Sequence, residues 1–320
     1  MIDVNYFALL VACASMTLFL CFNAVRLCAY LNLVDVPVGR KQHKTPTPLM
    51  GGVVMIAALA PVALVYVFSG VSDRWFGSLL IWIACVTIMA FVGLADDRHT
   101  LSPRVRLLIS FLVFATAAAV DPTFNVRVLD FNLPKFSMGL GTWWIAILFT
   151  TTCCVGLINA VNMADGKNGL VLGLSIGWLL ILATRAPETL TPFIFLFAAV
   201  LAVLFMFNMA GRLFLGDGGA YAIATAIGLL SIMIYNTPGV ESLRAVSAEE
   251  IMLLFLVPVF DSFRLTYTRL RQGRSPMSAD RDHLHHHIQS IFGWPFGLIL
   301  YWVVALVPAA LLFFAGNTKF

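Results

Sequence analysis

Long uncharged runs alternate with short polar segments along the whole chain. A helix needs about 20 residues to cross a hydrocarbon core of about 30 Å, and eight uncharged runs reach or nearly reach that length. They cover residues 4–25, 45–72, 75–95, 136–164, 168–184, 189–211, 218–240 and 288–318. Two shorter runs, 107–120 and 251–260, become spans if the flanking Arg106 and Asp261 lie at the membrane surface. The pattern therefore predicts about ten transmembrane helices.

The composition agrees with this pattern. Of the 320 residues, 60% are hydrophobic and 11% are charged, which excludes a soluble globular protein because so much apolar surface could not be buried. The runs are long and show no strict alternation, which excludes an outer-membrane barrel. The net charge of +4 is too small to predict a nucleic-acid partner. The expected fold is therefore all-α, a polytopic membrane protein with a single integral membrane domain over residues 1–320.

Ten spans place both termini on one side of the membrane and divide the polar loops into two sets. The set without the termini carries 14 of the 20 Lys and Arg residues and all six His residues, whereas all four Glu residues lie in the other set. By the positive-inside rule, the first set faces the cytoplasm. Both termini are therefore predicted on the non-cytoplasmic side, and any chemistry is expected in the cytoplasmic loops and helix ends.

Two adjacent carboxylates, Asp96 and Asp97, follow the third run. The pair Ser102-Pro103 that comes next is typical of a helix start, which places Arg106 in the first turn of the following helix, close to the carboxylates. Acidic and basic groups brought together at a membrane surface indicate a phosphate site with a metal ion or a proton acceptor nearby. For the aspartate pair alone, a solvated turn is the alternative.

Two further aspartates lie in short turns that contain glycine. Asp165 follows Asn159 and Asn162, which share a helical face because they are three residues apart; interhelical hydrogen bonds are the alternative for these amides. Asp217 has glycines on both sides at the start of a span, so it is either a helix cap or a metal ligand. Mg²⁺ typically takes one or two protein carboxylates and completes its coordination with water and substrate phosphate. Asp217 is the first choice for that role.

Two basic segments complete the cytoplasmic set. The segment from Arg40 to Pro48 is either a positive-inside anchor or, with the paired glycines that follow, the rim of an anion site. The second segment is predicted as a long loop from Asp261 to Ile288, rich in arginine and histidine. Attraction to the membrane surface explains the arginines, and adventitious metal binding, including zinc, explains the histidines. Together, however, these side chains suit a nucleotide diphosphate.

Read in order, five motifs resemble those of the polyprenyl-phosphate N-acetylhexosamine-1-phosphate transferases. They are RKQHKTPTPLMGG, GLADDRHTLSPRVRLL, NAVNMADGKNGL, FLGDGGAY and PVFDSFRLTYTRLRQGRSPMSADRDHLHHHI. The resemblance spans nearly the whole chain, and the last motif is similar to that of the WecA/TagO branch, which uses UDP-N-acetylglucosamine. It implies an enzyme of the bacterial cytoplasmic (inner) membrane whose active site faces the cytoplasm.

The resemblance implies a phosphoryl transfer between a lipid and a nucleotide sugar. Undecaprenyl phosphate attacks the β-phosphate of a UDP-linked N-acetylhexosamine, UMP leaves, and the lipid-linked sugar diphosphate initiates the synthesis of a cell-envelope glycan. The implied cofactor is Mg²⁺, with Mn²⁺ as an alternative. Besides these two substrates, membrane lipid is the expected partner, and a homodimer is left open.

The resemblance also implies residue roles. The catalytic set is Asp96, Asp97, Asp165 and Asp217, in which Asp217 is the metal aspartate and Asp97 is close to the metal. Asp96 and Asp97 face the lipid phosphate, with one of them as base or positioner. Arg106 stands where many members of the family have Lys. The substrate-binding set comprises Lys41, His43, Arg106, Asn159, Asn162, Asn168, Arg281, His283, His285 and His286.

Two positions depart from the common motifs of the family and leave the donor sugar open. Asn168 replaces the second Asp of the DGxDG pattern, and Ala220 replaces a Ser that often follows the GDxG turn. N-acetylglucosamine is the expected sugar; UDP-linked fucosamine, quinovosamine or bacillosamine derivatives and UDP-MurNAc-pentapeptide are alternatives. From another class, a metal-ion transporter with a His-rich feeder loop is the alternative, but the middle of every run is free of charge.

Overall fold

The computed structural model describes residues 6–37, 45–68, 73–238, 245–275 and 282–317, which fold almost entirely into helices. The helices are α1 (Tyr6–Phe22), α2 (Ala24–Leu31), α3 (Gly51–Val54), α4 (Ala60–Phe68), α5 (Asp73–His99), α6 (Pro103–Val120), α7 (Trp143–Ala164), α8 (Leu170–Ala183), α9 (Thr191–Met209), α10 (Gly216–Tyr235), α11 (Ala248–Arg271), α12 (Leu284–Phe292) and α13 (Phe296–Asn317). A π-helical turn, Met55–Leu59, joins α3 to α4, and a 3-10 turn, Pro122–Phe124, follows α6. Two antiparallel pairs consist of β1 (Val34–Asp35) with β2 (Thr47–Pro48) and β3 (Val128–Asn132) with β4 (Lys135–Gly139).

Each of the ten predicted runs contains a helix, which confirms the all-α fold class. In the described part of the chain, eight helices are long and apolar enough to cross a membrane, or nine if α1 and α2, which meet at a bend of 68°, form one span. Helix α8 falls short because its 14 residues extend only about 21 Å at the helical rise. The chain is thus a multi-pass membrane protein, while the count of ten spans and the side of the termini stay predictions.

Helix α10 forms the centre of the bundle. Almost all of its residues are buried, and it packs along α5 and against α3 and α7. Its sequence is apolar on every side beyond the first turn, as expected for a helix surrounded by other helices. Because α10 begins where α5 and α7 end, the residues of its first turn meet the ends of both neighbours.

The prediction of a loop that begins at Asp261 is wrong. Helix α11 continues through Pro258 and Asp261 to Arg271, and most of the histidine cluster lies on a separate helix, α12. A proline inside a membrane helix removes one backbone hydrogen bond, which neighbouring groups can replace. Beyond Asp261 the sequence keeps a helical pattern, because Leu265 and Arg269 are buried on one face. The charged residues in this stretch therefore belong to the last, polar turns of α11, and the helix does not end where they begin.

Candidate active site

Small residues bring three helices into backbone contact at the start of α10. Gly93 of α5 lies so close to α10 that an added Cβ would overlap the Asp217 carbonyl group and come within 2.5 Å of the Gly218 Cα. From the other side, a Cβ added at Gly51 of α3 would come within 2.7 Å of the Gly219 Cα. Only glycine allows backbones to approach this closely. These contacts fix the position of the Asp217 backbone between α3 and α5.

Asp97 holds the first turn of α10 through its backbone. Its Oδ1 accepts a hydrogen bond from the Asp217 N–H at 2.8 Å, and its Oδ2 accepts one from the Gly218 N–H at 3.0 Å. Both donors belong to the amides that a helix start leaves without intrahelical partners, and a carboxylate there also interacts favourably with the helix dipole. Asp97 therefore fixes the orientation of the Asp217 backbone.

The Asp217 side chain contacts the end of α7. Its Oδ1 accepts a hydrogen bond from Asn162 Nδ2 at 2.5 Å, and Asp165 follows as the residue that ends this helix. Desolvation by the surrounding protein raises the pKa of Asp165 to about 8, and the negative charges of Asp217 and Asp97 act in the same direction. Three carboxylates therefore converge where α5, α7 and α10 meet.

Asp96 is buried and forms an ion pair, unlike its neighbour in the chain. Its Oδ2 lies 2.6 Å from Arg106 Nη1, and its Oδ1 accepts a hydrogen bond from the Leu101 N–H at 2.8 Å. The predicted N-cap, Ser102, is present and places Arg106 in the first turn of α6. The hydroxyl of Tyr221 on α10 joins the pair, 2.9 Å from Arg106 Nη1 and 3.2 Å from Asp96 Oδ2.

Asp261 anchors the start of α12. Its carboxylate accepts hydrogen bonds from the Arg264 guanidinium at 2.8 and 3.1 Å and from the Leu284 N–H at 3.2 Å. Its Oδ2 also lies 3.2 Å from His283 Nδ1. The His283 ring in turn stacks on that of His285, with ring centroids 5.2 Å apart. One carboxylate on α11 therefore positions the histidine cluster.

His285 is enclosed by protein beside the turn between α7 and α8. It is 1% exposed, and a Cβ added at Gly166 would come within 2.5 Å of its Nε2. Burial lowers the pKa of His285 to about 3, and the nearby His286 and His283 act in the same direction. His285 is therefore neutral at pH 7 and offers hydrogen bonds, not positive charge. Its contact with Gly166 joins the histidine cluster to the turn that holds Asp165.

Asn208, which was not predicted, joins two turns of the site. Its Oδ1 accepts a hydrogen bond from the Gly169 N–H at 2.6 Å, and its Nδ2 donates to the Leu213 carbonyl at 3.0 Å. Asn168 is half-buried in the first of these turns. Asn159, by contrast, donates at 2.7 Å to a carbonyl one turn back in α7, so part of its amide is engaged within its own helix.

The structure brings together most of the predicted residues that it describes. The cluster at the start of α10 contains Asp96, Asp97, Asp165, Asp217, Arg106 and Asn162, and α12 with its N-cap adds His283, His285 and His286. Lys41, His43 and Arg281 lie outside the described residues. Tyr221, Asn208 and Asp261 were missed as site residues. A signal existed for Tyr221, because it follows Asp217 by four residues and so shares its helical face.

The carboxylates fit the predicted cation in charge and donor type. Among the described residues, no group of three or more His, Cys, Asp or Glu side chains is arranged to hold a metal ion. Mg²⁺, however, needs only one or two protein carboxylates when a phosphate is also present. In the same part of the chain, neither Asp165 nor Asp217 forms an ion pair. Without such a partner, a pKa of about 8 leaves Asp165 mostly protonated at pH 7. A bound Mg²⁺ would favour the ionised form of both carboxylates, because a nearby positive charge lowers the pKa of a carboxyl group.

Comparison with known proteins agrees with these motifs. Residues 79–235 match glycosyl transferase family 4. The undecaprenyl-phosphate alpha-N-acetylglucosaminyl 1-phosphate transferase of Escherichia coli O157:H7 is 30% identical over 289 residues, which cover 85% of this chain and 73% of that protein. The Yersinia pestis protein of the same name is 29% identical over 277 residues, with 83% and 72% covered. A probable undecaprenyl-phosphate N-acetylglucosaminyl 1-phosphate transferase of Bacillus subtilis is 27% identical over 279 residues, with 83% and 72% covered. The chain therefore belongs to glycosyl transferase family 4, together with the N-acetylglucosaminyl 1-phosphate transferases that its motifs resemble.

Proposed function

We propose that the protein transfers N-acetylglucosamine 1-phosphate from UDP-N-acetylglucosamine to undecaprenyl phosphate at the cytoplasmic face of the bacterial inner membrane. The observation that carries this proposal is the convergence of Asp97, Asp165 and Asp217 beside Arg106 at one end of the helix bundle. Two anionic substrates can react only where their charges are neutralised and positioned. Family membership supports the transferase class and gives no support to a metal-ion transporter.

The proposed reaction forms one phosphorus–oxygen bond and breaks another. A phosphate oxygen of undecaprenyl phosphate attacks the β-phosphorus of the nucleotide sugar, and the bond from that phosphorus to the bridging oxygen breaks. UMP leaves with the bridging oxygen, and the lipid keeps the sugar diphosphate. Because a phosphate monoester is already largely ionised at neutral pH, the attack does not require a strong base.

Arg106 is the proposed site for the acceptor phosphate. Asp96 and Tyr221 engage its Nη1, and its Nε is buried. In the described part of the chain, its Nη2 forms no hydrogen bond and the side chain is 24% exposed, so Nη2 is the donor available to a phosphate. The guanidinium presents its donors in a planar fork that matches phosphate oxygens. In this arrangement Asp96 positions Arg106 and does not need to act as the base. Of the two roles that the resemblance implies, base or positioner, Asp96 therefore takes that of positioner.

The donor diphosphate is proposed to lie between the carboxylates and the histidine cluster. Asp217, with Asp97 beside it, would hold Mg²⁺, and Asn162 orients the Asp217 carboxylate. When bound, Mg²⁺ neutralises charge on the diphosphate and on the departing UMP. His283 and His286 are proposed to contact the sugar diphosphate, while the predicted contact by His285 is not made in this arrangement, because its ring is enclosed and packs against both of these histidines.

The proposed function predicts the products of a direct assay. Membranes that contain the protein, supplied with Mg²⁺, undecaprenyl phosphate and labelled UDP-N-acetylglucosamine, are expected to release UMP and to form a butanol-extractable labelled diphosphate. Removal of Mg²⁺ with a chelator is expected to stop both. Release of UDP instead of UMP would show an ordinary glycosyl transfer and contradict the proposal. A panel of UDP-linked sugars in the same assay identifies the preferred donor.

Replacing Asp261 by Asn is expected to raise the KM for the UDP-sugar about tenfold, because the carboxamide loses the charge that holds Arg264 and His283. The KM for undecaprenyl phosphate is expected to stay unchanged. Glu249→Gln removes one charge at the other end of α11 and is the matched control. Equal KM values for the donor in both variants would remove Asp261 from the positioning of α12.

A further inference from the structure

Tyr221 places a hydroxyl group inside the site, on the same face of α10 as Asp217 and one turn further along the helix. Its side chain is buried, and the hydroxyl uses both of its hydrogen-bonding functions. It accepts from Arg106 Nη1 at 2.9 Å and donates to Asp96 Oδ2 at 3.2 Å. One hydroxyl on α10 therefore contacts residues of both α5 and α6.

The contact with Tyr221 restricts the guanidinium in a way that the ion pair alone does not. Nη1 carries two hydrogens that lie in the plane of the guanidinium. Asp96 accepts from this nitrogen at 2.6 Å and Tyr221 accepts from it at 2.9 Å. With one acceptor, the guanidinium can still turn about a single hydrogen bond. With two acceptors, its plane is set, and so is the direction of its remaining donors.

The position of Arg106 indicates which substrate these donors meet. Helix α6 faces outward over much of its surface, since Val105, Leu108 and Leu112 are exposed. A substrate that arrives through the bilayer therefore reaches the start of α6 directly. The turn that holds Asp165 lies instead against His285 of α12.

We propose that Tyr221 is a positioning residue for the acceptor phosphate: its hydroxyl sets the plane of the Arg106 guanidinium so that the unused donors of this guanidinium bind the phosphate of undecaprenyl phosphate. The inference rests on the proposed function and names a residue of its acceptor site. Tyr221 does not touch the reacting atoms and acts through Arg106.

Tyr221→Phe keeps the ring and removes the hydroxyl. The KM for undecaprenyl phosphate is expected to rise about tenfold, because a hydrogen bond to a charged group is lost. The kcat and the KM for the UDP-sugar are expected to stay within about twofold of the wild-type values, because the hydroxyl binds Arg106 and Asp96 on the acceptor side. Tyr235→Phe is the matched control, since its hydroxyl lies at the other end of α10 and contacts Val128 and Asp130 of β3 at 2.8 Å.

A background of Arg106→Lys separates positioning from a structural role. A lysine ammonium is a compact charge without a plane to set, so Tyr221→Phe is expected to change the acceptor KM by less than about twofold there. A tenfold effect that persists in the Lys background would overturn the inference, because Tyr221 would then act without the guanidinium. An unchanged acceptor KM for Tyr221→Phe in the Arg106 protein would overturn it as well.

Binding of undecaprenyl phosphate to the purified full chain in detergent tests the inference without a donor. Tyr221→Phe is expected to weaken this binding about tenfold, while Tyr235→Phe binds as the wild type does. If the wild-type protein releases no UMP in the direct assay, the proposed function is contradicted. If Tyr221→Phe binds undecaprenyl phosphate as tightly as the wild type does, the inference is contradicted. Thermal unfolding of both variants shows whether either substitution has disturbed the fold.

Discussion

Replacing Asp217 by Asn is expected to lower kcat by a factor of about a thousand or more, because electrostatic stabilisation of a transferring phosphoryl group is a dominant catalytic contribution. The carboxamide keeps the size of the side chain and an oxygen that can accept from Asn162, which donates at 2.5 Å. Only the negative charge is lost, and it is the charge that is proposed to hold Mg²⁺. The measurement is UMP release at saturating donor and acceptor over a range of Mg²⁺ concentrations.

Asp121→Asn provides the matched control for this substitution. Asp121 ends α6 at the opposite end of the bundle, where it accepts hydrogen bonds from Ser78 and from the Thr123 N–H. Its replacement makes the same chemical change away from the site, so activity is expected to stay close to that of the wild type. Turnover by Asp217→Asn within about tenfold of this control would remove Asp217 from the metal role.

The fold class follows from the sequence because few backbone structures are stable inside a membrane. Inside lipid every backbone polar group needs an internal partner, so long apolar runs have to be helices. The lengths of the helices do not follow in the same way. The prediction ended one helix at Asp261 because a charge usually marks a membrane surface, but helix α11 goes on for ten residues to Arg271. At Asp261 a polar face begins while the helix continues. The positions of charges along the sequence cannot distinguish the end of a helix from the start of a polar face on a helix that continues.

The site was predictable in its residue types but not in its contacts. The glycine-flanked Asp217 and the pair Asp96-Asp97 are visible as polar positions at the ends of apolar runs. The different partners of Asp96 and Asp97 are not visible in the sequence. Asp97, for example, accepts hydrogen bonds from amides 120 and 121 positions later in the chain. Such a pairing depends on how α5 packs on α10. Tyr221 was missed because a tyrosine inside an apolar run is more often a packing residue than a hydrogen-bonding partner.

Replacing Gly93 by Ala is expected to lower kcat/KM by about a hundredfold or more, because a misplacement of about 1 Å at a catalytic site can cost that much. The added Cβ would overlap backbone atoms of Asp217 and Gly218, and backbone cannot turn aside as a flexible side chain can. Helix α5 has to move away from the first turn of α10. Asp97, four residues further along α5, moves with it and loses its hydrogen bonds to the two amides.

Gly77→Ala on the same helix is the control, since a Cβ there meets nothing within 4 Å and alanine favours the helix by about 1 kcal/mol. Its activity is expected to equal that of the wild type. If Gly93→Ala loses activity but still unfolds within a few degrees of Gly77→Ala, the loss comes from the geometry of the site and not from a failure to fold. Equal activity in both variants would show that Asp217 is held in place without the close contact between α5 and α10. The comparison therefore separates the glycine packing that positions Asp217 from the packing that stabilises the bundle.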